Sequence, residues 1–153
     1  MNMNHSKPSE HAGKSGCLKK VCVDKYHFKV DRMGRDKMTH YMNLWDDSFQ
    51  AIKEGWKTIE MRLNDEKRSI IKIDDIIEFT NTSNQEKLSC KVINIYKYSD
   101  FSELYENHDK QSIGYRENEK GDPDDMLLYY TKEQIKKYGV MGIELTKLSK
   151  STD

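Results

Sequence analysis

The segment that most constrains this sequence is Gly-Trp-Lys-Thr-Ile-Glu-Met-Arg at residues 55–62, where charged residues recur at fixed spacing in a strand-like run. Side chains on an extended backbone alternate between two faces, so Thr58, Glu60 and Arg62 share one face. The opposite face is apolar and carries Ile59, Met61 and Leu63. The segment therefore predicts a strand that builds core on one side and presents an acid and a guanidinium on the other.

An amphipathic helix is predicted immediately before this strand. Its apolar stripe recurs at offsets of four, three and four residues and consists of Trp45, Phe49, Ile52 and Trp56. Residues 46–48 supply side-chain acceptors for the free amides at its start, and Gly55 ends it in a left-handed conformation. The glycine turn then brings Lys57 round toward the face of Glu60 and Arg62, although its parity on a regular strand differs from theirs.

The rest of the chain alternates between strand and short-helix patterns. Further strands are predicted at residues 39–44, 76–80, 87–98 and 140–148, and short helices at 100–105, 123–130 and 131–138. The apolar residues of the strand at 87–98 change parity, which indicates a bulge or burial of both faces. The polar connection 108–123 is long, and connections of that kind often cover sites.

Length and charge indicate one domain with a basic extension. The chain has 153 residues, enough for one core, and it balances 26 Lys and Arg against 26 Asp and Glu. Residues 1–40 hold nine basic and four acidic residues, so the remainder is mildly acidic. We therefore expect a flexible extension at 1–37 and a domain at 38–149. Strong binding to duplex DNA is not expected, because it usually needs a basic face.

The cysteines and histidines do not indicate a metal site. Cys17 and Cys22 lie near several histidines, but their spacing matches no zinc finger. Cys90 is expected to be an inert buried thiol, and His40 and His108 to be surface residues. No long apolar run predicts a membrane span, so we expect a cytoplasmic protein without a metal or cofactor.

The spacing Gly-x-Lys-x-x-Glu-x-Arg at residues 55–62 resembles the signature of the ASCH family, relatives of the PUA RNA-binding domains. The preceding helix, the acidic turn at 74–75 and the closing Gly-Ile-Glu at 142–144 extend the resemblance over about residues 40–148. The resemblance implies an α+β fold, a small PUA-like β-barrel with flanking short helices. It also implies a cleft beside the motif that binds RNA or a modified nucleotide.

One bacterial branch of that family is an amidohydrolase that deacetylates acetylated cytidine with a Lys, a Thr three residues later and a downstream Glu. In this sequence Lys57 matches the Lys, and Glu60 stands at the position of the Thr. The downstream acid would be Glu117 or Glu119. The resemblance thus implies a nucleoside hydrolase as an alternative function, in which Lys57 and Glu60 are catalytic.

The chemistry of the charged residues leaves several roles open. Arg62 suits a phosphate or a base edge, Glu60 suits a base or an acceptor for an exocyclic amine, and Lys57 suits a carbonyl to be polarised. Alternatively, Glu60 and Arg62 form ordinary ion pairs on an exposed face, which contribute about 0–1 kcal/mol, and Lys57 is solvated.

We therefore consider three functions. The first is a binding module for RNA or a nucleotide, contacted by Lys57, Glu60, Arg62, Thr58, Tyr115 and Glu119. The Tyr115 ring either stacks on a base or packs as a structural residue. The second is the amidohydrolase, and the third is an interaction domain for another protein.

Overall fold

The computed structural model describes residues 27–30 and 36–148 of the chain. Cys17 and Cys22 lie outside these ranges, as does most of the expected extension at 1–37. Residues 27–30 of that extension form a strand, which pairs antiparallel with a strand at residues 36–44. The strand predicted at 39–44 therefore begins three residues earlier than expected.

Within the described ranges, six strands form one curled sheet. They are β1 (His27–Val30), β2 (Asp36–Leu44), β3 (Ile59–Leu63), β4 (Ile76–Asn81), β5 (Lys87–Tyr98) and β6 (Val140–Lys147). The order across the sheet is β1-β2-β4-β5-β6-β3, in which β2 and β4 are parallel and the other neighbours are antiparallel. The sheet curls into a half-barrel flanked by short helices, and the expected α+β fold is confirmed.

Short helices flank the sheet. They are α1 (Asp46–Glu54), α2 (Phe101–Asn107), a 3-10 helix (Pro123–Leu128) and α3 (Lys132–Tyr138). The Asp100 side chain caps α2 as predicted by accepting from the Glu103 N–H, and a reciprocal capping box of Thr131 and Gln134 begins α3. None of the helices in the described part of the chain is both long and apolar enough to cross a bilayer.

The start of α1 differs from its prediction, whereas its end agrees. Trp45 is the N-cap residue and makes no capping hydrogen bond with its side chain, so the helix begins at Asp46, within the run 46–48 that was predicted to cap it. Asp46 instead lies in the first helical turn, where its Oδ1 accepts a hydrogen bond from Asn81 Nδ2 at 2.8 Å. Gly55 ends the helix with φ 97°, the left-handed conformation that glycine adopts without a steric penalty.

The predicted apolar stripe of α1 packs into the core at its centre and not at its ends. Phe49 and Ile52 are buried, whereas Trp45 is 41% exposed and Trp56 is half-buried. Both tryptophans lie outside the helix, which spans Asp46–Glu54, so the helical period does not fix where their side chains point.

The predicted bulge in β5 is present. The pairing register with β6 shifts between Val92 and Asn94, and Ile93 is exposed there. Cys90 lies before the shift and Ile95 after it, yet both pack in the same apolar cluster, because the bulge changes the parity once. Cys90 is buried as predicted, and burial raises the pKa of its thiol to about 12.

Two apolar clusters cover the sheet. The α1 cluster joins Phe49 and Ile52 of that helix to residues of β2, β4, β5 and β6. The α2 cluster joins Phe101 and Leu104 of that helix to the 3-10 helix and to one face of β3. The predicted apolar face of β3 belongs to the second cluster and comprises Ile59, Met61 and Leu63.

The charged face of β3 turns toward the α1 cluster. Side chains of directly opposed residues in an antiparallel pair lie on the same face of the sheet. Glu60 pairs with Ile143, and Arg62 pairs with Met141, and both apolar partners belong to the α1 cluster. Both faces of β3 are therefore buried, which the parity of the sequence did not indicate.

Candidate functional site

Lys57, Glu60 and Arg62 form one buried cluster of charges, called here the Lys57 cluster. The Lys57 Nζ donates to Glu60 Oε1 at 2.6 Å, and the Arg62 Nε donates to Glu60 Oε2 at 2.7 Å. The three residues are 2%, 2% and 0% exposed, respectively. Each carboxylate oxygen thus receives a charge-assisted hydrogen bond from a different cation, which fixes all three side chains relative to one another.

The turn after α1 places Lys57 in this cluster. Gly55 donates its N–H to the carbonyls of Ala51 and Ile52, and the Lys57 N–H also reaches the Ala51 carbonyl at 3.2 Å. These bonds fold the chain back beneath α1 before β3 begins. The Lys57 Nζ consequently lies 3.5 Å from Ser48 Oγ, in the first half of the helix. The predicted role of the glycine corner agrees with this geometry.

The long connection between α2 and the 3-10 helix covers the cluster. The Ser112 carbonyl accepts from the N–H groups of both Thr58 and Ile59 at 2.9 Å, which joins the connection to the start of β3. Gly114 follows with φ 115°, and a Cβ built there would lie 3.3 Å from the Cδ of Lys57. The backbone conformation therefore favours glycine at this position, and a Cβ there would also press against the lysine stem.

The charges of the cluster do not cancel. Burial raises the pKa of the Glu60 carboxyl, but the Lys57 ammonium and the Arg62 guanidinium outweigh that effect and hold the pKa below its ordinary value. Glu60 is therefore ionised at neutral pH, and one anion faces two cations. The alternative of ordinary ion pairing on an exposed face is wrong, because all three side chains are buried.

A small cavity adjoins the lysine end of the cluster. Its volume is about 190 Å³, and its lining includes Gly55, Lys57, Thr58, Leu145 and Thr146. That volume equals the liquid volume of about six water molecules. It therefore suits one compact polar group, and a whole oligonucleotide would have to lie across its opening.

Thr58 and the downstream acids, the other polar residues predicted to contact a ligand, lie in different parts of the structure. Thr58 is half-buried and lines the cavity beside Lys57. Glu119 is half-buried and accepts from the Arg116 N–H at 2.7 Å, which stabilises its own loop. Glu117 is exposed in the same loop, and its carbonyl accepts from Lys110 Nζ at 2.8 Å.

Tyr115 lies in the α2 cluster, where it is 1% exposed. Its hydroxyl donates to Asp125 Oδ2 at 2.7 Å and lies 2.8 Å from the hydroxyl of Tyr105. Burial raises the pKa of the Tyr115 phenol above its ordinary value. A ring held in this way has no free face for a base, so the stacking predicted for Tyr115 does not fit this arrangement.

Two buried polar centres escaped the sequence analysis. His40 is 3% exposed, so the prediction of a surface residue is wrong, and its Nε2 lies 2.8 Å from Asp75 Oδ2. Arg68 is 2% exposed, and its Nη1 donates to Asp65 Oδ2 at 2.8 Å. The acidic residue three positions before Arg68 was an available signal for that pair. The His40 pair joins residues 35 apart, for which the sequence holds no local signal.

Histidine, cysteine and carboxylate side chains do not converge on a metal site in the part of the chain that the structure describes. His108, expected at the surface, is half-buried, and its Nε2 lies 2.9 Å from the hydroxyl of Tyr98. Its ring also contacts that of Tyr96 edge to face at 4.6 Å.

Comparison with known proteins identifies a family and solved structures to which this chain is similar. The family model of the ASCH domain matches residues 42–149. The crystal structure of hypothetical protein PH0355 is 34% identical over 72% of this chain and 100% of that chain, with a TM-score of 0.63. The solution structure of PF0455 from Pyrococcus furiosus is 33% identical over 73% of this chain and 99% of that one, with a TM-score of 0.56.

A more distant structure is similar in fold alone. ASCH from Zymomonas mobilis is 15% identical over 71% of this chain and 66% of that chain, with a TM-score of 0.52. A sequence search among curated proteins finds no match.

Proposed function

Because the chain belongs to the ASCH domain family, we propose that it binds single-stranded RNA or a modified nucleotide at the Lys57 cluster and its adjoining cavity. The proposal rests on one observation above all. Two cations and one anion are held together at less than 3% exposure, and one of the cations, Lys57, lines the adjoining cavity. An anionic or carbonyl oxygen of a nucleotide has the chemistry that complements it.

The three charged residues have different roles in such a site. Lys57 and Thr58 line the cavity, so we assign the contact with one bound polar group to these two residues. Arg62 lies deeper, and its Nη2 also donates to the Asn43 carbonyl at 3.2 Å. Glu60 holds both cations in place and raises the precision of the site without contacting the ligand. A site whose donors are fixed before binding loses little conformational entropy when it is occupied.

A fluorescence anisotropy titration tests the proposal. The probe is a fluorescein-labelled single-stranded RNA of about ten nucleotides, within the span that small single-strand-binding domains cover. Lys57→Met keeps the length and apolar stem of the lysine and removes its charge. We expect this variant to weaken RNA binding at least about tenfold, equivalent to about 1.4 kcal/mol.

Lys53→Ala is the matched control. Lys53 lies on the same helix–turn unit, but its side chain is 47% exposed and pairs with Glu86. Its removal should leave RNA affinity within about twofold, because exposed ion pairs contribute little. Equal affinities of Lys57→Met and the unmodified protein, with both folded by circular dichroism, would refute the proposal.

Salt dependence provides a second measure. The domain after residue 40 is mildly acidic, so few phosphates should be neutralised on binding. For single strands the logarithm of the affinity falls with the logarithm of salt by about 0.7 per neutralised phosphate. We expect a slope between about −0.7 and −1.5, and a slope steeper than about −3 would indicate a wide basic surface elsewhere.

The amidohydrolase is a second candidate, favoured by the position of Lys57 and Thr58 on one cavity wall. In that function Lys57 would polarise the amide carbonyl and Glu60 would accept a proton. The lowered pKa of Glu60 makes it a weaker base, which favours the binding function. Incubation with N4-acetylcytidine followed by chromatography separates the two, since release of acetate by the unmodified protein, and none by a Lys57→Met variant that remains folded, would establish the hydrolase.

A further inference from the structure

The cavity beside Lys57 has a second cationic residue in its wall. Lys147, the last residue of β6, lines the cavity together with Lys57, and its Nζ donates to the Lys53 carbonyl at 2.5 Å. That carbonyl belongs to the last turn of α1, so the hydrogen bond holds the Lys147 side chain between the end of the helix and the end of the strand. An ammonium has three N–H donors, and this bond uses one of them.

The register of β5 and β6 places Lys147 on the face of the sheet that α1 covers. Lys147 is directly opposite Cys90, and directly opposed residues of an antiparallel pair have their side chains on the same face. Cys90 is buried in the α1 cluster and also lines the cavity. Burial raises the pKa of the Cys90 thiol, and the positive charge of Lys147 acts in the opposite direction, as expected for an ammonium on that face.

The chemistry of the lining favours an anion. The described residues that line the cavity include two lysines and no acidic residue, and the others are Ile52, Gly55, Thr58, Cys90, Leu145 and Thr146. Glu60 pairs with Lys57 but does not line the cavity. Lysine binds phosphate groups as a compact point charge. The anionic group of a nucleotide that matches this lining is therefore its phosphate.

The size of the cavity limits which phosphate fits. Its volume of about 190 Å³ equals that of about six water molecules, which suits a phosphate group and is too small for a base with its ribose. A phosphodiester within a strand carries a ribose on either side, whereas a terminal phosphate monoester carries one. The monoester also has a charge of about −1.5 to −2 at pH 7 and three strong acceptor oxygens, whereas the diester has a single negative charge. Size and charge therefore both favour the monoester.

We propose that the cavity binds the terminal phosphate monoester of a single-stranded RNA, and that Lys147 acts with Lys57 to select it. This inference rests on the proposed function and adds the chemical group that occupies the cavity. The remainder of the strand lies across the opening of the cavity. A 5′-phosphate and a 3′-phosphate have the same chemistry, so RNAs with either end are compared.

Fluorescence anisotropy with RNAs that differ only at one end tests this proposal. The probes are single strands of about ten nucleotides. One pair has a 5′-phosphate or a 5′-hydroxyl and carries fluorescein at the 3′ end, and the other pair has a 3′-phosphate or a 3′-hydroxyl and carries fluorescein at the 5′ end. We expect at least one phosphorylated probe to bind about tenfold or more tightly than its hydroxyl counterpart.

Lys147→Met and Lys53→Met are matched variants. Both lysines are exposed, but only Lys147 lines the cavity. Lys147→Met should reduce the difference in affinity between the phosphorylated and hydroxyl probes to about twofold or less, because the difference measures the coupling between the phosphate and the lysine charge. Lys53→Met should retain the full difference. Comparing two probes within one variant removes any general change in folding or in RNA affinity.

The outcomes separate this inference from the function on which it rests. RNA binding with equal affinities for phosphorylated and hydroxyl probes overturns the terminal-phosphate preference and leaves the RNA-binding proposal intact. A preference that persists unchanged in Lys147→Met, or that disappears equally in Lys53→Met, overturns the assignment of the phosphate to the cavity. Absence of binding by every probe overturns the proposed function, and this inference with it.

Discussion

The Lys57 cluster and the His40–Asp75 pair are both buried polar centres, but they are built in different ways. Asp75 accepts from the backbone N–H groups of Met38 and Lys72 at 3.2 and 3.0 Å, in addition to its contact with His40. Its carboxylate therefore ties a turn to β2. In the Lys57 cluster, charged side chains bond mainly to one another, and a cavity lies beside them.

The hydrogen-bond donors around the carboxylate distinguish a structural polar centre from a binding site. A carboxylate that is saturated by backbone donors holds its own loop and has no capacity left for a ligand. A cluster of charged side chains beside a cavity has room for a ligand, and it is retained despite the cost of burying charge. Substitutions in the two centres should therefore have different consequences for stability and for binding.

The largest expected effect is that of Glu60→Gln. The substitution keeps the shape of the side chain and leaves Lys57 and Arg62 as two buried cations without their anion. We expect the free energy of unfolding to fall by about 3–5 kcal/mol, the usual cost of removing one partner from a buried ion pair. Urea denaturation at pH 7 measures it. A loss below about 1 kcal/mol would show that the cluster behaves like a surface ion pair.

Asp75→Asn should have the next largest effect on stability and none on binding. The amide retains one oxygen acceptor, but it loses the charge that its three donors favour. We expect a loss of about 1–3 kcal/mol in the free energy of unfolding. Below the unfolding transition, RNA affinity should match that of the unmodified protein. A change in affinity as large as that of Lys57→Met would erase the distinction between the two centres.

The two centres should also lose stability in different pH ranges. Burial lowers the pKa of His40 from its ordinary 6.5, although the contact with Asp75 partly opposes that effect. As pH falls below about 6.5, the unfolded chain binds a proton before folded His40 does, so the free energy of unfolding decreases. The decrease is about 1.4 kcal/mol per unit of pKa difference and stops below the folded pKa.

The variant His40→Gln tests whether His40 causes the loss of unfolding free energy below about pH 6.5. The amide still offers a donor to Asp75 and does not titrate, so the decline that starts near pH 6.5 should disappear. The contribution of Glu60, whose pKa is lowered from 4.5, is present above that pH and is lost as pH falls through the folded pKa. Unfolding measured from pH 7 to pH 4 separates the two. An identical decline in His40→Gln would assign it to another group.

How much of this fold the sequence predicts depends on how local each feature is. The left-handed Gly55, the Asp100 cap and the bulge in β5 follow from a few adjacent residues, and all three agree with the structure. Where burial depends on residues distant in the sequence, the predictions were wrong. Trp45 fits the apolar period but lies outside the helix, and His40 is buried through a residue 35 positions away.

The site shows the same division. Parity correctly predicts that Glu60 and Arg62 share a face, and the glycine corner correctly brings Lys57 to them. Burial of that face could not be predicted, because it depends on α1, on β6 and on the connection that contacts Lys57 at Gly114. Tyr115 was interpreted as a loop aromatic for the same reason, since its place in the core depends on residues far along the chain.

The smallest expected effect is that of Lys53→Ala on stability. Lys53 Nζ lies 2.6 Å from Glu86 Oε2, a distance equal to that between Lys57 and Glu60, but the two side chains are 47% and 36% exposed. We expect the free energy of unfolding to change by less than about 1 kcal/mol. Glu60→Gln removes the anion of two buried ion pairs, so its larger loss shows how much more buried pairs contribute than an exposed pair of the same distance. Equal losses in both variants would contradict that interpretation.

The most direct test of the central claim is an NMR titration of the unmodified protein with single-stranded RNA. The binding account predicts the largest chemical-shift changes at the Thr58 amide and at the Arg62 Nε–H group. The amides of Met38 and Lys72, which donate to Asp75, should remain unchanged. Shifts confined to exposed lysines, with Thr58 and Arg62 unaffected at saturating RNA, would contradict the claim that the Lys57 cluster is the ligand site.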